Sequence, residues 1–600
     1  MRARNAWVLT GAITLAMAAA APAHIERASY WPDPAPDKSV TPPAGGKVPK
    51  PRSLASAVGA RPGGTVRVVC ASDSMSRLKA SIAQAEKSGY DVRPTVHKSF
   101  SKKQGKALLA INKKLLAKCA YHEIQPAVTA SRNNGRVVVM PGLYTEPTAR
   151  KKPTNDPACS KYKILNDRGD TGAVSYEYQT HCPNDQNLIA VMGRALGPGK
   201  EPAQPRPDRH GIPNLGKCIR CNFQIEGSGV NADDVVVDAG DPKAGNGGPS
   251  GVGHAKDVGI RADRADGFVL RNMTVRHARE HDIYVLESDG YLLDHFKTYY
   301  AGEYGVLTFV EDHGLIQNCD TAGSGDSGVY PGAGAETGMQ GVREGYEKKP
   351  RYNQEIRFCD SHHNGIGYSG TDGNGIHLDH NNFYDNALGW STDIFTASGH
   401  PGFPQDSDLV EDNNFYSNNF NPYDPKSDVK PTEPVPVGTG AWIAGGNDDV
   451  FRNNRFYDNW RRGMMLFSVP DAFVCMQKDE NNLKGCDPSQ TSTSFGNQFY
   501  GNIEGVAPNG TYMPNGTDWW WDSYPGNTGN CWFNNTTAAG HTVLTDPASL
   551  PDCDTGKTPG TSIGTGQPDK ETELIACSGA APGTDSSCPW FSVPAKPAGH

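Results

Sequence analysis

The chain has 600 residues, with 58 basic and 66 acidic side chains and a formal net charge of −8. That balance supplies no cationic excess to neutralise phosphates, which argues against nucleic acid or an anionic membrane surface as partner. Past the first two dozen residues no apolar run approaches the length of a membrane span, so membrane insertion is not expected.

Residues 1–23 read as a secretory signal: Arg2 and Arg4, an apolar run from Trp7 to Ala21, then Ala21-Pro22-Ala23 as a cleavage site. Its removal leaves 56 basic and 66 acidic residues, a net charge of −10, and implies a secreted, extracellular protein. All fourteen cysteines come after it. An even count in an exported chain favours disulfides over metal thiolates. The expected pairs are Cys70–Cys119, Cys159–Cys182, Cys319–Cys359, Cys475–Cys486, Cys531–Cys553 and Cys577–Cys588. Cys218-Ile219-Arg220-Cys221 has the spacing of a zinc or redox motif. No second pair and no helix come after it, so a structural disulfide is expected there.

Residues 24–60 form a proline-rich arm, with Pro32, Pro34, Pro36, Pro42, Pro43, Pro49 and Pro51. Cleavage after Ala23 would make His24 the amino terminus. Such a histidine can chelate copper through its amine and ring, which leaves copper binding as a remote reading. Residues 61–132 read as a helical cap, with helices over 74–88 and 102–121. The second puts Leu108, Leu109, Ile111, Leu115 and Leu116 at helical spacing behind Ser99 and Ser101 as N-caps.

A repeat dominates the stretch from Asp266 to Ser468. Successive passes read DGFVLRNMTVRHAREHDIYVLE (266–287), DGYLLDHFKTYYAGEYGVLTF (289–309) and DHGLIQNCDTAGSGDSGVYPG (312–332). Asp266, Asp289 and Asp312 are each 23 residues apart. A fixed period of that size, built from strands, means one coil stacked on the next. Earlier passes carry Ile124-Gln125, Val137, Val139 and Pro141-Gly142-Leu143-Tyr144, then NFQIEGSG (222–229) and DDVVVDAG (233–240). Later passes carry the doublets NNFYDN (381–386), NNFYSNN (413–419) and NNRFYDN (453–459). Asparagines at a fixed turn position stack and satisfy one another, so these read as an internal ladder. Asn272, His295 and Asn318 occupy the equivalent position.

Ile124-Gln125, Ala127 and the Pro141-Gly142-x-Tyr144 close resemble the entry of right-handed parallel β-helix proteins of the pectate-lyase-like superfamily. The expected fold is all-β: a right-handed parallel β-helix over 133–470, with an α-helical N-terminal cap and a disulfide-tied C-terminal region over 471–600. Trp519–Trp521 are expected to be buried in the end cap. Insertions lie over 147–216, after Gly332, between Phe395 and Asp408, and between Phe420 and Gly438. They flank the last strand of each pass and should crowd one long face, where binding sites usually sit.

Stacked coils lie about 4.8 Å apart, so residues one period apart become neighbours. Ten of the seventeen histidines fall between His254 and His400, beside acids that recur near one turn. His277, Arg279 and His281 alternate, and His313 comes directly after Glu311-Asp312. The catalytic candidates are His281 or His313 as base, Arg279 as charge stabiliser, and Glu311, Asp312 and Asp393 as acid/base groups. Glu287, Glu311 and Asp312 are candidate Ca²⁺ ligands, and Tyr284, Tyr330 and Trp442 candidate substrate contacts. Two chemistries suit such a set: glycosidic hydrolysis by a carboxylate pair, or β-elimination beside a uronate carboxyl. LLDHF (292–296) and IHLDHNNF (376–383) resemble the W-I-D-H segment of pectate lyases without its Trp. Ser391-Thr392-Asp393 and Asp448-Asp449 faintly resemble polygalacturonase motifs whose G-H-G and R-I-K partners are missing. The expected function is a secreted, monomeric polysaccharide lyase or glycoside hydrolase. The alternative is a non-catalytic extracellular polysaccharide-binding or surface protein.

Overall fold

The computed structural model describes residues 35–598 except 61, 153, 166–170, 173–175, 197–215, 246, 252–254, 394–401, 403, 471–490, 493, 554–563, 579 and 584–587. The signal segment, His24 and Cys475–Cys486 lie outside the described residues. The chain is a right-handed parallel β-helix. Each coil has three strands. In one, Phe268–Arg276 bends at Asn272 into a first and a second strand, and His281–Leu286 forms the third. The next coil is Asp289–Tyr299, bent at His295, and then Tyr304–Phe309. Phe268 faces Tyr291 and Arg276 faces Tyr299, so the 23-residue period is one full coil.

Left-handed corners make this possible. Asn272, His295 and Asn318 have φ of 54°, 53° and 54° between first and second strands. Asn, Asp and His tolerate that region better than most side chains, which explains their recurrence. Immediately after the corner an Asn side chain turns inward. Asn381, Asn413, Asn454 and Asn502 form one ladder, each amide donating to the next side-chain oxygen at 3.0–3.1 Å. Asn364, Asn386, Asn418, Asn459 and Asn515 form a second at 3.1 Å. Each ladder satisfies polar groups that water cannot reach.

A third ladder runs at the remaining corner through Asp408, Asp449, Asn497 and Asn530, and two of its rungs are acids. Asp408 Oδ1 accepts the Ile376 amide at 2.9 Å, and Asp449 Oδ1 accepts the Asp408 amide at 2.8 Å. At Asn497 and Asn530 the second side-chain atom donates to a carbonyl, Gly446 at 3.0 Å and Ser494 at 2.7 Å. The corresponding Oδ2 atoms of Asp408 and Asp449 are buried with no hydrogen-bond partner among the described residues. Burial pushes both carboxyls well above the usual range, and the neighbouring acid adds to the shift at Asp408.

Between the ladders the interior is apolar and stacked, as in Phe383–Phe415–Phe456, with centroids 5.2 and 4.8 Å apart. The stack runs beyond 133–470 in both directions. Val66–Val69 pairs with Arg136–Val139, and Trp519–Trp521 pairs with Met464–Leu466. Helix Ser74–Ser88 forms as expected. The next begins at Lys102 behind a Ser101–Gln104 capping box and stops at Leu116 rather than 121. Cys119–Tyr121 is instead a strand, and Cys119 is bonded to Cys70. Ile124–Ala130 is a helix whose Ile124, Ala127 and Val128 close the interior. Among the described residues six disulfides are formed: Cys70–Cys119, Cys159–Cys182, Cys218–Cys221, Cys319–Cys359, Cys531–Cys553 and Cys577–Cys588. Among the described residues no helix is long and apolar enough to cross a membrane.

Two segments fold back over the coils. The proline-rich arm lies on the first face, where Val48 packs on Val269, Leu292 and Leu315. The C-terminal segment covers the third face, where Leu574 and Trp590 pack with Leu388, Trp442, Met465 and Trp520.

Candidate active site on the second face

The third face is closed. Its outward positions are large and apolar, and strands apolar on both sides are buried on both sides. Tyr284 lies under the Arg261 guanidinium at 4.8 Å, and Tyr330 packs on Tyr304 at 4.3 Å. Trp442 donates its indole N–H to Ser391 and meets Trp590 at 5.6 Å. All three are at most 4% exposed, so they anchor the covering segments and offer no open platform. His281 is buried too, stacked on Tyr304 at 5.2 Å with Glu280 and Glu303 each 3.9 Å away. Burial holds both acids up, Glu280 to about 8.

Of the remaining candidates the structure keeps Asp312 and His313 together, at 3.5 Å, and gives the others separate partners. Glu311 stands at the corner before strand Asp312–Gln317, between the left-handed residues Val310 and His313. Glu311 is fully buried, accepts the Ser288 amide at 3.2 Å, and is pushed well above the usual carboxylate range by burial. Asp312 forms a two-point ion pair with Arg351 at 2.8 and 2.7 Å. His313 bonds Asp289 at 2.8 Å, and the Asp289 carboxyl also accepts the Gly46 amide of the arm at 2.7 Å. Arg279 pairs with Asp257 at 3.0 Å. Glu287 accepts the Tyr176 hydroxyl at 2.9 Å. Asp393 ends strand Leu388–Asp393 opposite Ala444, and its side chain lies outside the described part. Glu287, Glu311 and Asp312 therefore face three different surroundings, which is not how a Ca²⁺ ion gathers six to eight oxygens. Among the described residues, a tight ligand group free of disulfide sulfurs is Glu355, His377 and Asp379 on the first face. Arg357 already pairs with Glu355 at 2.9 Å, and Glu411 bonds His377 at 2.9 Å.

The open site lies on the second face. A cleft of about 490 Å³ is lined by Asp233, Lys297, Tyr299, Ala322, His362 and His363, among others. Behind this lining lies Asp320, almost buried, which accepts the Tyr299 hydroxyl at 2.7 Å and His362 Nε2 at 3.0 Å. A carboxylate accepts, so Nε2 is the donor in that contact and Nδ1 is the ring nitrogen turned away from Asp320. Lys297 bridges Asp233 at 2.9 Å and Asp320 at 3.7 Å. Burial raises the Tyr299 hydroxyl far above its usual range, and the charges of Asp320 and Asp233 raise it further, so it stays protonated. At the rim, His363 sits between Asp385 at 3.2 Å and Asp428 at 3.0 Å. Its bond to Asp385 raises its pKa against the effect of burial, and Asp428 adds to this. The cleft thus combines an imidazole, a phenol held by a buried carboxylate, a lysine ammonium and, at the rim, a second imidazole between two acids.

Lys297, Tyr299, Asp320 and Asp233 were not among the expected site residues. A signal for them exists. Lys297 and Asp320 are 23 residues apart, so the stacking rule makes them neighbours. His362 is hidden by the insertion after Gly332, which stretches the step from Ala322 to His362 to 40 residues.

No protein-family model and no curated protein matches the chain. Solved structures do. The A-module of mannuronan C-5 epimerase AlgE6 from Azotobacter vinelandii is 13% identical, over 70% of this chain and 92% of that one, with a TM-score of 0.35. Pectate lyase Pel9A is 12% identical over 75% and 85%, with a TM-score of 0.29. A rhamnogalacturonan lyase is 11% identical over 86% and 100%, with a TM-score of 0.29. At these values the likeness carries no argument about activity. The register of the coils carries the fold.

Proposed function

We propose that the protein is a carbohydrate-active enzyme that cleaves a uronate-containing extracellular polysaccharide by β-elimination in the second-face cleft. The observation that carries this is Asp320 held between the Tyr299 hydroxyl and His362 Nε2, with Lys297 beside them. Elimination needs a base for the proton next to the uronate carboxyl, a cation to stabilise the enolate that forms, and an acid for the departing oxygen. His362 Nδ1 takes the proton, and that C–H pair becomes the new C=C bond as the C–O bond breaks. Tyr299 protonates the departing oxygen. Lys297 stabilises the carboxylate charge. The Tyr299 phenolate then regains a proton from water and His362 Nδ1 releases its own to water, which restores both groups while Asp320 holds the two side chains in place.

Lys297 is already shared by two acids, so the substrate's own charge calls for a further cation. His363 is one source and an added Ca²⁺ ion another, as expected from the sequence. A second reading has one specific support. Asp233 and Asp320 both reach the Lys297 ammonium, so their oxygens are no farther apart than the sum of those two contacts. That range includes the ~5–5.5 Å of retaining glycosidases.

The test is incubation of the mature protein with uronate-containing and neutral polysaccharides, with and without Ca²⁺. Ultraviolet absorbance from unsaturated ends supports elimination. New reducing ends without it overturn elimination in favour of hydrolysis. Binding with neither supports a non-catalytic polysaccharide-binding protein.

A further inference from the structure

The cleft is a gap in an aromatic column. Tyr299, Ala322, His362, Tyr384, Tyr416 and Tyr457 are in register on six successive coils and all point outward from the second face. Where rings occupy adjacent coils they stack. His362–Tyr384, Tyr384–Tyr416 and Tyr416–Tyr457 have centroids 4.9, 5.0 and 4.9 Å apart and planes within 10° of parallel. One coil of about 4.8 Å accommodates one ring. Ala322 places a methyl group where the column would hold a ring, leaving Tyr299 and His362 two coils, about 10 Å, apart.

Both walls of the gap are held. Tyr384 backs His362. Gly247, which also lines the cleft, packs against the Tyr299 ring, where a Cβ would lie 3.5 Å from it. Gly247 belongs to a loop that Arg276, one coil before Tyr299, holds by bonds to Gly245 at 2.7 Å and Ala244 at 3.0 Å. Asp320 fixes the edges of both rings at once. The gap is thus one coil wide, bounded by the Tyr299 and His362 side chains, with a carboxylate and Lys297 along its inner edge.

We propose that the gap over Ala322 is a subsite for a single pyranose ring, clamped between Tyr299 and His362. A pyranose presents apolar C–H faces and a polar rim. The faces suit the aromatic walls, and the rim suits Asp320 and Lys297. Ala322 then sets specificity by size, since any larger side chain continues the column. The choice of a sugar as ligand rests on the carbohydrate reading of the cleft.

The test is Ala322→Phe, with binding of uronate and neutral tetrasaccharides measured by calorimetry and folding by thermal melting. The subsite predicts a loss of affinity of about 100-fold, with a melting temperature unchanged or raised as the new ring completes the stack. Affinity within about threefold of the original chain overturns it. So does a failure of the original chain to bind any tetrasaccharide tried. If Ala322→Phe does not fold, Ala322→Cys is capped with a methylthio or a benzylthio group. Weaker sugar binding by the benzylthio adduct supports the subsite, and equal binding overturns it. Binding without cleavage by the original chain leaves the subsite standing and removes the elimination chemistry. Cleavage with an unchanged KM in Ala322→Phe does the reverse.

Discussion

Replacing Asp408 and Asp449 together by Asn should stabilise the protein at neutral pH, and by more as the pH rises. Each carboxyl stands at an asparagine rung, with Oδ1 accepting an amide and Oδ2 buried without a hydrogen-bond partner among the described residues. The folded-state pKa of each is raised, so the proton is retained on folding. An acid of this kind contributes its full stability below the unfolded pKa of about 3.9 and loses it as the pH climbs towards the folded value. One retained proton changes stability by about 1.4 kcal/mol per pH unit. The double Asn variant has no such slope and supplies the N–H donors that the acids lack. Urea unfolding at pH 5, 6 and 7, disulfides intact, should show a stability difference that widens with pH, by up to ~1.4 kcal/mol per unit for each retained proton. A constant difference over that range, or a variant less stable at pH 7, refutes the reasoning.

The other predictions concern the cleft, the ladders and the cover. His362→Gln and Asp320→Asn should each lower kcat by about 100-fold or more with little change in melting temperature, as removal of a general base does; stopped assays on a uronate polymer check this. Tyr299→Phe should lower kcat most on substrates with poor leaving groups, a dependence read by comparing leaving groups of different basicity. Asn418→Leu, at a rung where the side chain both donates to Phe383 and accepts from Asn386, should cost ~2–4 kcal/mol in urea unfolding. Trp590→Ala should cost ~3–5 kcal/mol and expose the third face at Trp442, seen as a red shift in tryptophan emission.

The features legible in the sequence are those that repeat. The step from Asp266 to Asp289 to Asp312 is one coil, and the Asn doublets mark the inner rung beside a left-handed corner. Cysteine pairs one coil or one short loop apart, such as Cys319–Cys359, come from the same stacking. The features that stayed hidden depend on parts of the chain that return from far away. The outward side of a strand such as Thr439–Ala444 looks like a binding face until Trp590 and Leu574 cover it. Asp289 and His313 look like an exposed acid–base pair until the arm docks over them. Glu311-Asp312-His313 read as one neighbourhood; Asp312 and His313 do stay 3.5 Å apart, but the left-handed corner at Val310 leaves Glu311 buried on the Ser288 amide. The cleft obeys the same stacking rule one strand earlier, where polar Lys297 and Asp320 replace the apolar residues that usually signal a coil.

The most direct test of the central claim compares the mature protein with His362→Gln on a uronate-containing polysaccharide, monitored by ultraviolet absorbance from unsaturated chain ends. The proposed chemistry predicts a steady rise with the original chain and almost none with the variant, both binding the polymer. A rise that His362→Gln leaves unchanged, or cleavage by the original chain without that absorbance, would contradict it.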